Sequence, residues 1–265
     1  MTIKDLSYVD LLISTATLLL PIWLSYRGRL NIHRDLIVGA ARCFAQLTLM
    51  GYLLKYIFDL NSAPAVLALL GAMVFFAAQT VSGRLRERLT GLLGHSLLSV
   101  GITSFLTLAF VTQIVVRVEP WYSPRYLVGL AGMIIGNAMN GSALAAERLI
   151  SELKLRAQAI EVLLALGATP RQATAEAVRA TIRASLIPPV NSLMTVGLVH
   201  LPGIMTGQIL GGAPPDTATR YQIMIMYTLT FVSAMTAIAM TTLTVSRFFT
   251  PRAQLRQDLL ADGPR

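Results

Sequence analysis

Long apolar stretches recur along the chain and are separated by short polar intervals. An apolar stretch of about 20 residues is long enough to cross the ~30 Å hydrocarbon core of a bilayer as a helix. We predict transmembrane helices at residues 8–26, 36–57, 64–82, 96–117, 126–146, 183–210 and 221–246. The pattern therefore predicts an all-α integral membrane protein of about seven transmembrane helices, within a single transmembrane domain that covers residues 1–265.

The basic residues alternate in density from one connection to the next. They are frequent after the first, third, fifth and seventh predicted spans and sparse at the opposite ends. The dense groups are Arg27, Arg29 and Arg34; Arg84, Arg86 and Arg88; Arg148, Lys154, Arg156, Arg171, Arg179 and Arg183; and Arg247, Arg252, Arg256 and Arg265. Because loops rich in Lys and Arg stay in the cytoplasm, we predict an outside N-terminus and a cytoplasmic C-terminus in the inner (plasma) membrane.

The composition agrees with a chain that is surrounded by lipid. Hydrophobic residues make up 54% of the chain and charged residues 13%, whereas a soluble domain carries roughly 25% charged residues. The net charge of +9 is explained by the loops just described and by their contact with anionic lipid. Since no soluble domain gathers these charges on one face, we expect a lipid bilayer and not a nucleic acid as a partner.

The longest hydrophilic interval, residues 147–183, has the pattern of two helices joined by a tight turn. Gly167 suits the position after a helix C-terminus, where a positive φ is needed. Thr169 suits the next N-cap, with Pro170 at the first helical position and Gln172 in the reciprocal capping-box position. The interval predicts either an ordinary helical hairpin between two spans or a rigid knob that is presented to a soluble partner.

The same residues resemble the coupling-helix (EAA-type) motif of ABC-transporter permeases. Glu161 is followed six positions later by Gly167 and then by Ala168, Thr169, Pro170 and Arg171. In that family this cytoplasmic knob fits a cleft of the ATP-binding subunit, so the resemblance implies that these six residues couple the chain to an ATPase. The pattern departs from that of binding-protein-dependent importers at Val162, at Leu163 and in the position of Pro188.

Two further motifs resemble the Fet/Ybb-type family of ABC-transporter permeases. They are Gly-Met-Ile-Ile-Gly-Asn-Ala-Met-Asn at 132–140 and Leu-Pro-Gly-Ile-Met-Thr-Gly-Gln-Ile-Leu-Gly-Gly at 201–212, with Tyr221-Gln222-Ile223. Bacterial members of the family are associated with iron export, and plant relatives form half-transporters linked to aluminium tolerance and sugar-nucleotide movement. The resemblance implies a homodimeric permease that exports iron or another metal. Export of a sugar nucleotide or a lipid, and import, are the alternatives.

The chain itself has no sequence that predicts ATP hydrolysis. A P-loop needs Gly-Lys-Ser/Thr after a glycine-rich turn, and the lysines at positions 4, 55 and 154 follow Ile3, Leu54 and Leu153. We therefore expect no catalytic residues and no cofactor in this chain, with ATP and Mg²⁺ bound by a separate ATP-binding subunit. A secondary carrier would need intramembrane carboxylates for an ion relay, and these are nearly absent.

Polar residues inside two of the predicted spans are candidates for a translocation pathway. Asn137 and Asn140 share a face of the fifth span, where an unpaired amide in hydrocarbon is costly, so they serve either as interhelical hydrogen-bonding groups or as pathway residues. In the sixth span, Pro188-Pro189 and Pro202-Gly203 predict a broken helix beside Asn191. Thr206 and Gln208 then become candidates for a gate near the outer face, with a packing kink as the alternative.

Three further predictions concern Arg42, two glycines and metal ligands. Arg42 in the second span either faces an anionic group in a cavity or extends to the membrane surface. Gly132 and Gly136 form a Gly-x-x-x-Gly pair that allows another helix to approach closely. No metal site is predicted, because the three histidines are scattered along the chain. We therefore expect any exported iron to be chelated or held by residues of two subunits.

Overall fold

The computed structural model describes residues 7–30, 32–85 and 92–260. In those ranges the chain folds into the helices α1 (Tyr8–Arg27), α2 (His33–Leu60), α3 (Ala63–Leu85), α4 (Leu93–Ala109), α5 (Pro124–Leu155), α6 (Ala157–Ala165), α7 (Pro170–Ala173), α8 (Ala175–Thr195), α9 (Gly203–Leu210) and α10 (Pro215–Val245). A π-helical segment, Phe110–Val115, extends α4. Within the described ranges no strand forms, so the all-α prediction is confirmed.

Among the residues that the structure describes, six helices are long and apolar enough to cross a membrane. The candidate spans are Val9–Arg27, His33–Leu60, Ala63–Gly83, Leu93–Val115, Pro124–Leu155 and Pro215–Phe248. They correspond to the first five predicted spans and to the seventh. The chain is therefore a multi-pass membrane protein, and the predicted count of seven is not confirmed.

The predicted sixth span, 183–210, does not form a single helix. It is divided between α8, which ends at Thr195, and α9, which begins at Gly203. Pro188 and Pro189 were expected to interrupt the helix, but they lie inside α8 without ending it. The break occupies residues 196–202 and ends at Pro202-Gly203, where the second interruption was predicted. Within it Gly197 takes a φ of +84° and its N–H donates to the carbonyl of His200 at 3.0 Å.

Helices α5 and α10 form the centre of the bundle, and α3, α4 and α8 pack around them. A Cβ added to Gly141 would lie 2.8 Å from Thr236 Oγ1 and 3.1 Å from the Ser233 carbonyl, so α5 and α10 approach closely there. The buried Ser99 hydroxyl adds a polar link, because it lies 3.1 Å from Ser142 Oγ and donates to the Thr236 carbonyl at 3.1 Å. Position 141 therefore requires glycine for close helix contact.

Helices α1 and α2 form an arm that hardly touches this bundle. No residue in the most apolar stretch of α2 is buried, whereas half of the corresponding stretch of α5 is. The contact with the bundle lies at the C-terminal part of α2, where Ile57 packs in a cluster with Val66, Leu127 and Val128. The arm consequently leaves long apolar surfaces without a protein partner in the single chain.

Candidate functional site

The turn between α6 and α7 ends α6 with hydrogen bonds between its own backbone groups. Gly167 has a φ of +92°, its N–H donates to the Leu164 carbonyl at 3.0 Å, and the Ala168 N–H donates to the Leu163 carbonyl at 3.0 Å. This pair of bonds is a Schellman motif, which uses carbonyls that a helix end otherwise leaves free. The predicted helix end at Gly167 is confirmed.

The start of α7 is capped just as fully. The Gln172 N–H donates to Thr169 Oγ1 at 3.4 Å, and the Thr169 N–H donates to Gln172 Oε1 at 2.9 Å. Pro170 occupies the first helical position, where no N–H is needed. The predicted capping box is confirmed, and residues 157–173, which we call the α6–α7 knob, form a compact element that is fixed by local bonds.

The knob has a buried side and an exposed apolar side. Ile160 and Ala173 are buried in a cluster with Leu149 and Leu153 of α5 and Ala177 of α8. The opposite side exposes large apolar side chains, at Val162 (59% exposed), Leu163 (41%) and Leu166 (79%), and Leu155, which precedes the knob at the end of α5, is 77% exposed. Adjacent exposed apolar residues of this kind mark an interaction surface more often than a bare solvent face.

The segment after α10 braces the knob, which the sequence analysis did not anticipate. Gln257 donates a hydrogen bond to the carboxylate of Glu161, and Leu255 and Leu260 are buried in the same cluster as Ile160. Glu161, predicted to act in coupling, is therefore held by a residue that lies far away along the chain. The apolar positions at Leu255, Leu259 and Leu260 are the sequence signal that could have indicated this packing.

A groove of about 740 Å³ opens beside the knob. The knob contributes Thr169, Pro170 and Arg171 to its wall. The remaining wall comes from α4, the start of α8, the end of α10 and the following segment, through His95, Thr174, Thr242, Leu243, Val245, Ser246, Phe249, Thr250 and Pro251. Its mixed polar and apolar lining and its open shape suit a segment of another polypeptide.

A second, smaller pocket opens between α5, α8 and α10, and we call it the central cavity; Ser192 and His200 in its wall are exposed in the single chain. Its volume is about 180 Å³. It is lined by Asn137, Pro189, Ser192, His200, Pro202, Met226, Leu229 and Thr230. The structure thus brings the predicted pathway residue Asn137 together with the break between α8 and α9. The sequence analysis did not place His200, Met226 or Thr230 at a site.

The central cavity fixes the depth of the α8–α9 break. Met226 and Thr230 lie roughly 16 to 22 Å along α10 from its first residue, at ~1.5 Å per residue, and His200 and Pro202 line the same cavity. The non-helical residues 196–202 therefore lie well inside the membrane-spanning length of α10. Irregular backbone at such a depth occurs where protein or water covers it.

The other predicted pathway residues lie outside this cavity. Asn140 and Asn191 are exposed on α5 and α8, and Thr206 is exposed on α9 with its hydroxyl donating to the Pro202 carbonyl at 3.2 Å. Gln208 is partly buried, and its Oε1 has no hydrogen-bond donor within the described ranges. Arg42 is exposed on α2, apart from these residues. Their roles in transport stay predictions.

The predicted glycine pair does not form a close helix contact within the single chain. A Cβ on Gly132 would meet Met73 at an ordinary 3.7 Å, and a Cβ on Gly136 would meet nothing within 4 Å. The close approach of α5 to another helix occurs instead at Gly141. Packing of a helix from a second molecule against Gly136 stays a prediction.

Charged and metal-binding side chains are sparse around these sites. Among the residues that the structure describes, no three His, Cys, Asp or Glu side chains come together as metal ligands. Arg156 links the end of α5 to the start of α8, through Glu152 at 2.7 Å and Glu176 at 3.9 Å. These ion pairs lie at the base of the knob.

Comparison with known proteins identifies the family of the chain. The model of the family described as "Uncharacterised protein family (UPF0014)" matches residues 8–249. The chain belongs to the UPF0014 family. No solved structure of another protein shows a significant similarity to it.

Several known proteins match almost the whole chain. The UPF0014 membrane protein slr1647 of Synechocystis is 41% identical over 88% of this chain and 89% of its own length. The Arabidopsis protein ALUMINUM SENSITIVE 3 is 38% identical over 90% of this chain and 86% of its length. The probable iron export permease protein FetB of Escherichia coli is 32% identical over 96% of this chain and 97% of its own length. The resemblance to the Fet/Ybb-type permeases is therefore confirmed.

Proposed function

We propose that this chain is the membrane permease subunit of an ABC exporter that carries iron or another metal and is powered by a separate ATP-binding subunit. The observation that carries the proposal is the α6–α7 knob, a doubly capped element with an exposed apolar side and an adjoining groove. These features suit a soluble protein partner that pushes on the knob. The chain then has no catalytic residues of its own, and ATP and Mg²⁺ bind to the partner.

The knob is connected to the helices that form the central cavity. It directly follows α5, which carries Asn137, and it directly precedes α8, which carries Ser192. A displacement of the knob on ATP binding would therefore reach both walls of the cavity through continuous helices. In this mechanism the motor closes on ATP binding, the cavity changes its accessible side, and hydrolysis resets the cycle. Glu161, Gly167, Ala168, Thr169, Pro170 and Arg171 carry the coupling.

We propose that two copies of the chain form the pathway. The break at residues 196–202 lies at membrane depth, yet Leu198 is 90% and Val199 79% exposed in the single chain. Because lipid cannot satisfy irregular backbone, a second copy or an aqueous path between two copies would cover this segment. The exposed Asn140 and Asn191 would then face that path, with the knob and the C-terminus in the cytoplasm of a cell whose inner (plasma) membrane holds the complex.

The metal cargo and the outward direction are supported by the relatives. One UPF0014 relative is named a probable iron export permease protein and another is named for aluminium sensitivity. The sequence around the knob also departs from the importer pattern. The proposed cargo is therefore a metal, and the proposed direction is out of the cytoplasm.

The experiment that tests the permease assignment is co-purification of the chain with an ATP-binding subunit from native membranes. The variant is Gly167→Pro, which cannot adopt the φ of +92° and loses the N–H that donates to Leu164. The matched control is Gly212→Pro. Gly212 has a φ of +94° and donates to the Ile209 carbonyl in an equivalent turn at the end of α9.

We expect Gly167→Pro to insert into the membrane but to lose the ATPase, and Gly212→Pro to retain it. If both variants retain the ATPase, the coupling assignment is wrong. If the wild-type chain purifies alone and moves solute without ATP, a secondary carrier is the better account.

A further inference from the structure

The polar side chains of the central cavity donate hydrogen bonds to backbone carbonyls of their own helices. The Ser192 hydroxyl donates to the Pro188 carbonyl at 3.1 Å, and the Thr230 hydroxyl donates to the Met226 carbonyl at 2.9 Å. Asn137 Nδ2 donates to the Met133 carbonyl at 3.0 Å. A hydroxyl has a single hydrogen, so Ser192 and Thr230 have none left for a ligand in the cavity.

What these side chains still offer is mainly electron pairs. Asn137 retains its carbonyl oxygen and one N–H, and the two hydroxyl oxygens retain lone pairs. Met226 contributes a thioether that can only accept, and an imidazole such as that of His200 has, in its neutral form, one unprotonated nitrogen and one N–H. A cavity with five acceptor atoms and few remaining donors favours a cation over an anion.

The helix ends at the cavity do not reverse this preference. The C-terminal end of α8 and the N-terminal end of α9 both lie at the 196–202 break. A helix C-terminus favours a cation and an N-terminus favours an anion, so the two ends oppose each other. The side chains therefore decide the sign of the ligand.

The volume and the ligand types narrow the class of cation. About 180 Å³ has room for one metal ion with a few waters, each of which takes ≈ 30 Å³, and is well below the ≈ 300–1,000 Å³ of pockets for organic ligands. An imidazole nitrogen and a thioether sulfur favour first-row transition metals, whereas Mg²⁺ and Ca²⁺ favour sites built from oxygen ligands.

We propose that the central cavity is a transit site for a single divalent transition-metal ion. His200 and Met226 are its nitrogen and sulfur ligands, and Asn137, Ser192 and Thr230 supply oxygen atoms directly or through water. No carboxylate lines the cavity, so binding is weak, as release from a conduction site requires. The proposal rests on the permease function above, and it replaces chelated cargo with a bare or partly hydrated ion.

The test is direct metal binding by the purified chain in lipid nanodiscs, without any ATPase subunit. Co²⁺ serves as the probe, because its visible absorption changes when nitrogen and sulfur ligands replace water. The variants are His200→Ala and Met226→Leu, and the control is Met224→Leu. Met224 lies on the same helix but lines a different, smaller pocket and accepts a hydrogen bond from Thr228.

We expect saturable Co²⁺ binding that His200→Ala and Met226→Leu each weaken by about tenfold or more and that Met224→Leu leaves unchanged. An excess of Mg²⁺ is expected not to displace Co²⁺. Absence of binding, equal binding by all variants, or displacement by Mg²⁺ would overturn the site. None of these results would change co-purification with the ATPase, so failure of the site is separable from failure of the permease assignment.

His200→Ala and Met226→Leu are both expected to preserve the fold. His200 is exposed in the 196–202 break, and leucine has nearly the volume of methionine. Gel filtration of each variant in nanodiscs checks this directly. If either variant fails to fold, His200→Gln and Met226→Ile replace them in the same binding measurement, with the same expected losses.

Discussion

The α6–α7 knob and the central cavity differ in how they are built. The turn of the knob is fixed by bonds between residues a few positions apart, at the end of α6 and the start of α7, and the knob also packs against α5, α8 and the segment after α10. The cavity is assembled from α5, α8 and α10, whose contributing residues are distant in sequence, and its acceptor atoms have no fixed partner. A coupling element such as the knob must be rigid to transmit the movement of the ATPase. A site that binds and releases a small ion, as proposed for the cavity, must change shape. The two regions meet these requirements separately.

The regions are joined through α5 and α8, which lead from the knob to the cavity. The close contact of α5 with α10 at Gly141 lies between them along α5. The difference between the two regions therefore predicts that they can be damaged separately, provided that this joining contact is intact.

The largest expected effect comes from damage to the joining contact. Gly141→Val would place side-chain atoms against Thr236 Oγ1 and the Ser233 backbone, where even a Cβ lies 2.8 Å and 3.1 Å away. Overpacking of this kind costs about 1–3 kcal/mol or more, so we expect a strong loss of folded protein in detergent thermal-stability assays. Gly136→Val is the control, because a Cβ there meets nothing within 4 Å. Equal stability of the two variants would contradict the assigned packing.

An intermediate effect is expected at the exposed side of the knob. Leu166 is 79% exposed, so Leu166→Glu leaves the fold intact, since surface substitutions usually change stability by about 0.5 kcal/mol or less. Burying an unpaired carboxylate in an interface is costly, and we expect binding of the ATPase subunit to weaken by about tenfold or more. The control Thr219→Glu adds the same charge on an exposed residue at the start of α10. Unchanged ATPase binding by Leu166→Glu would remove this side from the interface.

The smallest effect concerns the cap of α7. Thr169→Ala removes the oxygen that accepts from the Gln172 N–H, and loss of such a cap costs about 1 kcal/mol. We expect amide hydrogen exchange in the knob to accelerate about fivefold, with no change at the central cavity. Thr219→Ala is the control, because its hydroxyl bonds to the Pro215 carbonyl within a helix and caps nothing. Faster exchange around α8 and α9 as well would show that the regions are not separable.

The sequence predicts these two regions to different extents for a physical reason. Gly167, Thr169, Pro170 and Gln172 act on their nearest neighbours, so their positions alone predict the turn and its caps. The bracing of Glu161 by Gln257 depends on tertiary packing that no local pattern contains.

The central cavity was predicted only in part. Asn137 stands out as a polar residue in an apolar stretch, and a break in the sixth span was expected; Pro202-Gly203 marked its position correctly, whereas Pro188-Pro189 did not. His200 and Met226 have no local pattern that assigns them to one site, because they meet only where α10 packs beside the segment between α8 and α9. The same holds for Gly141, whose close contact depends on a residue of α10.

The most direct test of the account is a comparison of Gly167→Pro and His200→Ala in vesicles that contain the chain and its ATP-binding subunit. ATP hydrolysis and Co²⁺ movement are measured in the same preparation. The account predicts that Gly167→Pro loses both stimulated ATP hydrolysis and Co²⁺ movement. It also predicts that His200→Ala retains ATP hydrolysis but loses Co²⁺ movement. Loss of ATP hydrolysis by His200→Ala, or Co²⁺ movement by Gly167→Pro at the wild-type rate, would contradict it.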